Sequence, residues 1–170
     1  MVVLTYQLSI LQIQLAVINS SNAVGVKDVP AKEFIEAFAK HLKKGNKSKI
    51  PDTACFKELA PYDPDWLYIR AASIAYQLFM RGKVGLSALR THYGGKQRWG
   101  SSPPHQRQCG GKIIRYCLKR LEDQGLVGQV KYQSEDGTEQ TAGKTLTDKG
   151  QTDMNRIAGQ LIKDKRKLKK

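Results

Sequence analysis

The stretch from Gly94 to Arg107, GGKQRWGSSPPHQR, contains residue types that could bind a phosphate or a nucleobase. Three cations could meet phosphates, and Trp99 next to Arg98 offers a stacking surface beside a charge, which suits unpaired RNA bases. The glycines allow the backbone to approach a sugar-phosphate chain closely, and a double proline stiffens the segment. Alternatively, Trp99 only covers the core. The spacing predicts an exposed loop between two helices.

Catalytic chemistry is not indicated by the sequence. His41, His92 and His105 have no carboxylate or cysteine at ligand spacing, and neither a phosphate-cradling nor a dinucleotide glycine motif is present. The three cysteines form no CxxC pair, so neither a disulfide framework nor a zinc site is indicated. Cys117 falls on the apolar face of a predicted helix and is expected in the core. We therefore expect a protein that is not an enzyme and has no cofactor, no metal and no small-molecule substrate.

The distribution of charge predicts a polyanionic partner. The 170 residues carry 29 Lys and Arg against 15 Asp and Glu, a net charge of +14. From Trp66 to Leu121, here called the acid-free stretch, there is no Asp or Glu, whereas residues 122–150 hold six acids and three bases. The acid-free stretch has eleven cations: Arg70, Arg81, Lys83, Arg90, Lys96, Arg98, Arg107, Lys112, Arg115, Lys119 and Arg120.

One predicted helix separates its cations from its apolar residues. Lys112, Arg115 and Lys119 follow i, i+3, i+7 spacing and share a face, and the opposite face carries Ile113, Ile114, Cys117, Leu118 and Leu121. Like charges at this spacing repel each other by a few tenths of a kcal/mol, about 0.2–0.5. An anionic partner explains the arrangement better than a merely solvated face.

The order of predicted elements is that of a mainly α, winged-helix-like bundle with one small β-hairpin, the wing. Residues 127–133 alternate like a strand, residues 134–143 form a turn-rich tip and residues 144–146 can return as the partner strand. Helices are predicted from about Pro30 to Lys44, over 52–59, from an N-cap at Asp63 to Gly82, over 84–93, from Gly111 to Gly125, and from an N-cap at Thr147 onward.

The chain divides into three parts. Residues 26–162 form the winged-helix-like domain, and residues 163–170 form a basic tail. Residues 1–25 carry no charge and are an extension that is dispensable or a gene-model artefact, a targeting peptide, or an added strand. The extension is therefore left out of the fold prediction.

Four motifs resemble a single family. They are VKDV at 26–29, ELAPYDPDWLYIRAAS at 58–73, YGGKQRWG at 93–100 and LTDKGQTDMNRIAGQ at 146–160. Together they resemble the eukaryotic- and archaeal-type small-subunit ribosomal protein nineteen family over about residues 26–162. The resemblance implies a winged-helix-like protein in the head of the small ribosomal subunit, which binds small-subunit rRNA and is required for pre-rRNA processing.

The family's central helix is its main basic contact surface, which the resemblance places at Trp66, Arg70 and Ser73. This chain departs from the family pattern at Tyr76, where an arginine is usual, and at Tyr116, where a second arginine often follows Arg115. The wing tip is also longer and more acidic than the usual glycine-glycine turn, which predicts that it projects to solvent or to a protein neighbour.

These inferences predict a structural constituent of the small ribosomal subunit. Its expected partners are small-subunit rRNA and neighbouring small-subunit proteins, with no membrane, and its expected location is the cytoplasmic ribosome, with nucleolar assembly in a eukaryote. The alternatives are a winged-helix DNA-binding regulator, which the acidic wing tip disfavours, and a secreted basic protein, which only the extension supports. The predicted rRNA contacts are the eleven cations of the acid-free stretch with Trp66, Ser73 and Trp99.

Overall fold

A computed structural model describes residues 24–45, 51–54, 56–133 and 139–168. A 3-10 turn at Val26–Asp28 precedes five helices and four strands in this part of the chain. In chain order they are α1 Ala31–Gly45, α2 Trp66–Arg81, α3 Leu86–His92, β1 Gly95–Trp99, β2 Ser102–Arg107, α4 Gly111–Asp123, β3 Val127–Gln133, β4 Glu139–Leu146 and α5 Asp148–Leu168. Most of the predicted N-terminal extension, residues 1–23, lies outside the described residues.

The predicted mainly α, winged-helix-like fold is confirmed. Helix α2 is the centre of the bundle, since α1 packs along it and α4 packs against it, while α3 contacts α4 and α5 contacts α1. The antiparallel pair β3–β4 follows α4 as the wing. The described residues also contain a second hairpin, β1–β2, which the sequence analysis did not predict.

The core forms where the apolar stripes of the helices meet. The spacing in α2 predicts a buried stripe of Leu67, Ala71, Ile74 and Leu78 that continues into Met80 and Arg81, and its first four members are buried, because residues three and four apart share a helix face. Met80 and Arg81 do not continue the stripe: Met80 is 45% exposed, since its place two residues after Leu78 turns it away from the core, and the charged Arg81 is exposed at the end of the helix. The other residues at inward helical positions are buried too, except Ile35, which is half-buried against the core: Ala72, Ala75, Phe34, Phe38, Leu42, Ile113, Ile114, Cys117, Leu118 and Leu121.

Helix α2 begins later than predicted. Asp63 was expected to cap it, but the helix starts at Trp66 and its N-cap is Asp65. The Asp63 carboxylate instead accepts a hydrogen bond of 2.8 Å from the backbone N–H of Asp65, which forms a turn ahead of the helix. The side chain of Asp65 accepts from Lys43 at 2.6 Å and so joins the ends of α1 and α2.

The junction between α4, the wing and α5 follows the sequence prediction. Gly125 has a φ of 72°, a left-handed conformation that favours glycine after a helix, and the Leu126 N–H donates back to the Leu121 carbonyl at 2.9 Å. Thr147 caps α5, because its hydroxyl accepts from the Gly150 N–H at 3.1 Å.

The returning wing strand is longer than predicted. Residues 144–146 were expected to pair, but β4 begins at Glu139, so half of the predicted tip belongs to the strand; residues 134–138 lie outside the described part. The register shifts after the Val130–Gly143 pair, which makes a bulge, and Gly143 has a φ of 151°. There the backbone of Lys144 exchanges two 3.0 Å hydrogen bonds with Val84, which ties the wing to the segment between α2 and α3.

The prediction of a loop at 94–107 is wrong, since this segment is the hairpin β1–β2. A double proline is unusual in a strand, because proline lacks an N–H to donate to the ladder. The paired residues are Gln97 with His105 and then Trp99 with Ser102, so Pro103 and Pro104 both lie opposite Arg98. This is a bulge, where the ladder of backbone hydrogen bonds is interrupted.

The predicted short helix at 52–59 is also wrong. The described residues of this segment form turns and bends, with a single turn in which the Lys57 N–H donates to the Ala54 carbonyl at 3.2 Å. The eight residues of this segment are too few to form a helix without a packed face, and Leu59 is 85% exposed.

The core position of Cys117 is confirmed and gives a testable pH dependence. Burial raises the pKa of its thiol to about 12, against about 8.5 in an unfolded chain. Between these values the folded chain holds a proton that the unfolded chain releases, so stability falls as pH rises, by at most about 1.4 kcal/mol per pH unit. We expect Cys117→Val to flatten this fall in urea unfolding between pH 8 and pH 10. An unchanged pH dependence in the variant would contradict the assignment.

Candidate nucleic-acid interface

The cations of the acid-free stretch lie on elements that are contiguous in the fold. Helices α2 and α3 both contact α4, and the hairpin β1–β2 leaves the bundle between α3 and α4. The hairpin's exit is tied to α3, because the Cys109 N–H donates to the Arg90 carbonyl at 3.0 Å. The Arg90 side chain reaches back to the Cys109 carbonyl at 3.5 Å. These contacts hold the root of the hairpin beside the N-terminus of α4.

The basic face of α4 forms as predicted. Lys112, Arg115 and Lys119 are exposed, while the apolar residues between them are buried. Lys112 lies 3.4 Å from Asp52, but both side chains are largely exposed, so water and salt screen this ion pair. The side chain of Arg120, also a predicted contact, is half-buried and its guanidinium lies 5.7 Å from the centre of the Tyr116 ring. The face thus presents three cations to solvent.

The hairpin β1–β2 presents its side chains to solvent. Every residue of β2 is exposed, as are Lys96 and Arg98 in β1. The Arg107 Nε donates to the Gln97 side-chain oxygen at 2.7 Å, which orients that guanidinium across the two strands. Trp99, at the tip, is 53% exposed, so the alternative that it covers the core is wrong. A projecting ribbon with cations and an open indole ring can contact both phosphates and unpaired bases.

The predicted contact residues of α2 form a cluster around Tyr93. The Arg70 guanidinium lies 4.4 Å from the centre of the Tyr93 ring, within cation–π range. The Ser73 hydroxyl is 2.8 Å from the Tyr93 hydroxyl, so Ser73 positions this ring. Trp66 is half-buried and packs against the core. Burial raises the pKa of Tyr93, although the hydrogen bond to Ser73 and the charge of Arg70 oppose the shift, and its hydroxyl stays neutral.

Tyr93 is a residue that the sequence reasoning missed. The sequence feature that could have indicated it is the motif YGGK, in which Tyr93 stands directly before the double glycine. The motif supports the family resemblance, but no role was predicted for the tyrosine. The remaining predicted cations, Arg81 and Lys83, are exposed on either side of Gly82, where α2 ends.

The two positions that depart from the family pattern serve packing here. Tyr76 lies against the core, with its ring centre 5.9 Å from that of Phe34. Tyr116 is also packed against the core, and it lies beneath Arg120.

The wing has a different electrostatic character. Glu139 accepts from Lys131 at 2.9 Å, and the half-buried pair of Lys144 and Glu122 joins β4 to α4. Lys131 and Lys144 are therefore matched with acids, whereas Arg115 and Lys119 on α4 and Lys96 and Arg98 on β1 form no ion pair with an acid among the described residues.

Other kinds of site receive no support from the described residues. Within them, no three His, Cys, Asp or Glu side chains come together as metal ligands. No helix in the same ranges has both the length and the apolar character that crossing a membrane requires.

Comparisons with known proteins give a consistent result. Residues 25–164 match the family described as Ribosomal protein S19e. The chain is 39% identical over 147 residues to the small ribosomal subunit protein eS19 of Oryza sativa, an alignment that covers 83% of this chain and 94% of the rice protein. It is 40% identical over 145 residues to eS19 of Entamoeba histolytica, covering 82% and 87%. It is 40% identical over 147 residues to eS19B of Schizosaccharomyces pombe, covering 83% and 96%.

Proposed function

Since the chain belongs to the Ribosomal protein S19e family and is a structural constituent of the small ribosomal subunit, we propose that its acid-free stretch binds small-subunit rRNA. The observation that carries the proposal is the location of eleven cations, with no acid between Trp66 and Leu121, on α2, α3, α4, the hairpin and the segment that joins α2 to α3. Phosphate contacts from such a surface supply most of the affinity for a nucleic acid and fix its position.

The parts of this surface have different roles. Lys112, Arg115 and Lys119 meet phosphates along α4, and the hairpin reaches further out with Lys96, Arg98 and Trp99. The remaining predicted cations flank these elements and add to the local positive potential. The wing, whose bases are matched with acids, faces solvent or a protein neighbour.

Sedimentation tests the place of the chain in the subunit. We expect a tagged full-length chain to sediment with small subunits and polysomes in a sucrose gradient, and to move to the top fractions when the rRNA is digested. A chain that stays out of the subunit and polysome peaks would contradict the function.

Binding of the purified chain to small-subunit rRNA should depend steeply on salt. If roughly eight cations engage phosphates, the plot of log affinity against log salt has a slope of about −5 to −7. We expect Arg115→Gln with Lys119→Gln to reduce the magnitude of the slope by about 1–2, because two phosphate contacts are lost. Lys131→Gln on the wing is the control and should leave the slope unchanged. Equal effects of the α4 and wing substitutions would count against the assigned surface.

We also propose that the chain sits in the head of the subunit and is required for pre-rRNA processing, with assembly beginning in the nucleolus of a eukaryotic cell. The support is the family membership together with the basic surface. Depletion of the chain should cause small-subunit precursors of rRNA to accumulate on a northern blot, and the wild-type chain should reverse this. Unchanged precursor levels would contradict a processing role.

A further inference from the structure

A cavity of about 220 Å³ lies at the root of the hairpin, between the segment 53–61 and helices α2 and α4. Its walls carry the aromatic rings of Phe56, Trp66 and Tyr93. Its floor is apolar and is formed by Ile113 and Ile114, from the core side of α4. Pockets for drug-sized ligands occupy about 300–1,000 Å³. The smaller size and the aromatic walls suit one flat ring system.

The polar groups of this cavity are cationic. Arg70 lines it, with its guanidinium already held over the Tyr93 ring, and Lys57 lines it from the exposed segment. The Lys57 ammonium also lies 5.5 Å from the centre of the Phe56 ring. Among the lining residues there is no Asp or Glu. Aromatic rings next to two cations match the two halves of a nucleotide, a base and a phosphate.

The glycine pairs on either side of the hairpin explain why the cavity can form there. A Cβ on Gly94 would lie 2.5 Å from the Arg107 carbonyl oxygen, so only glycine lets the two strands close at the root. A Cβ on Gly95 would lie 2.9 Å from the Lys57 Nζ. Without a side chain at Gly95, the Lys57 ammonium can lie against the root of the hairpin, where Lys57 also lines the cavity.

We propose that this cavity binds one unpaired nucleobase of the rRNA, with the adjoining phosphate on Arg70 and Lys57. The inference rests on the rRNA-binding function proposed above and identifies a specific recognition site within it. An apolar side chain from a neighbouring protein would fill the space but would leave two cations unmatched. A nucleotide can stack its base on the aromatic rings and place its phosphate beside the two cations.

Tryptophan emission tests the proposal, because the chain has only two tryptophans, Trp66 at the cavity and Trp99 at the hairpin tip. In full-length Trp99→Phe, Trp66 is the sole reporter. We expect a single-stranded adenosine dodecamer to quench its emission in a saturable way. A dodecamer of the same charge without bases should bind about tenfold more weakly and give no quenching, since stacking is lost. Equal quenching by both probes would overturn the proposal.

Filling the cavity gives an independent test. In the Trp99→Phe background, Ala60→Leu and Ile113→Phe each enlarge a lining side chain, and we expect both to abolish the Trp66 response and to lower affinity for the adenosine dodecamer about tenfold. Ala88→Leu, on the exposed side of α3, is the matched control and should retain both properties. Circular dichroism establishes that each variant is folded. Ala60 is exposed, so Ala60→Leu disturbs the core less than Ile113→Phe does. Undiminished quenching in folded Ala60→Leu would overturn the proposal.

Fluorescence anisotropy of the labelled dodecamer separates this proposal from the broader function. Salt-dependent binding without a Trp66 response would reject the cavity site and leave the rRNA-binding surface intact. A complete lack of binding to both the dodecamer and small-subunit rRNA would reject the two together.

Discussion

Arg98→Glu combined with Trp99→Ala should lower incorporation of the chain into small subunits by about tenfold or more while the domain stays folded. The substitution removes the exposed indole ring, and stacking on one base contributes about 1–3 kcal/mol. It also reverses the charge of Arg98, for which we propose a phosphate contact. Neither side chain is part of the core, because Arg98 is exposed and Trp99 is 53% exposed. Sucrose gradients with quantitative immunoblotting measure incorporation, and thermal unfolding measures stability.

The wing offers a matched control for this experiment. Lys131→Glu with Tyr132→Ala changes adjacent residues of the same kinds on the other hairpin, and Tyr132 is comparably exposed at 48%. The net charge changes by −2 in both double variants. We expect the wing variant to assemble normally. Normal assembly of the β1–β2 variant, or an equal loss in both, would contradict the role given to Arg98 and Trp99.

Gly150→Ala should destabilise the domain by about 1–3 kcal/mol, which is the usual cost of forcing atoms into a packed site. A Cβ at this position would lie 2.4 Å from the Leu126 carbonyl oxygen and 3.1 Å from a methyl group of Leu146. The same carbonyl accepts the Thr147 N–H at 3.0 Å, so a shift there would disturb the cap that starts α5. Urea unfolding of the purified variant measures the loss.

Gly159→Ala provides the control in the same helix. A Cβ at Gly159 meets no atom within 4 Å, and alanine is favoured over glycine inside a helix by about 0.8–1.0 kcal/mol. We therefore expect this variant to be slightly more stable than the wild type. A Gly150→Ala variant as stable as Gly159→Ala would contradict the close packing of α5 on Leu126.

Local patterns in the sequence predicted the helices that have strong apolar stripes. The inward residues of α2 and α4 and the cap at Thr147 follow from side chains close in the sequence, so the spacing alone was sufficient. The start of α2 was misplaced by two residues, because Asp63 and Asp65 are both plausible caps. In the structure the Asp63 side chain accepts from the Asp65 N–H, so the turn that Asp63 forms lies ahead of the helix.

The hairpin β1–β2 could not be predicted by the same rules. Two consecutive prolines normally exclude a strand, and the strand is possible only because the bulge opposite Arg98 removes the need for their N–H groups. Likewise the bridge that ties β4 to the bundle pairs Lys144 with Val84, which is distant in sequence. Pairing between distant segments leaves little trace in local composition.

Most of the candidate site was predicted from charge, because an acid-free run is visible in the sequence. The cavity was not, since its walls come from four separate segments, which contain Phe56, Trp66, Tyr93 and Ile113. Only the fold brings these rings together with Arg70.

The most direct test of the central claim, that the acid-free stretch faces rRNA, is ultraviolet cross-linking of assembled small subunits followed by mass spectrometry of the peptide–nucleotide adducts. We predict that adducts fall on the hairpin residues 95–107 and on the exposed face of α4 at 112–119, and that the wing residues 127–133 carry none. Adducts confined to the wing or to α5, with none between residues 66 and 121, would contradict the claim.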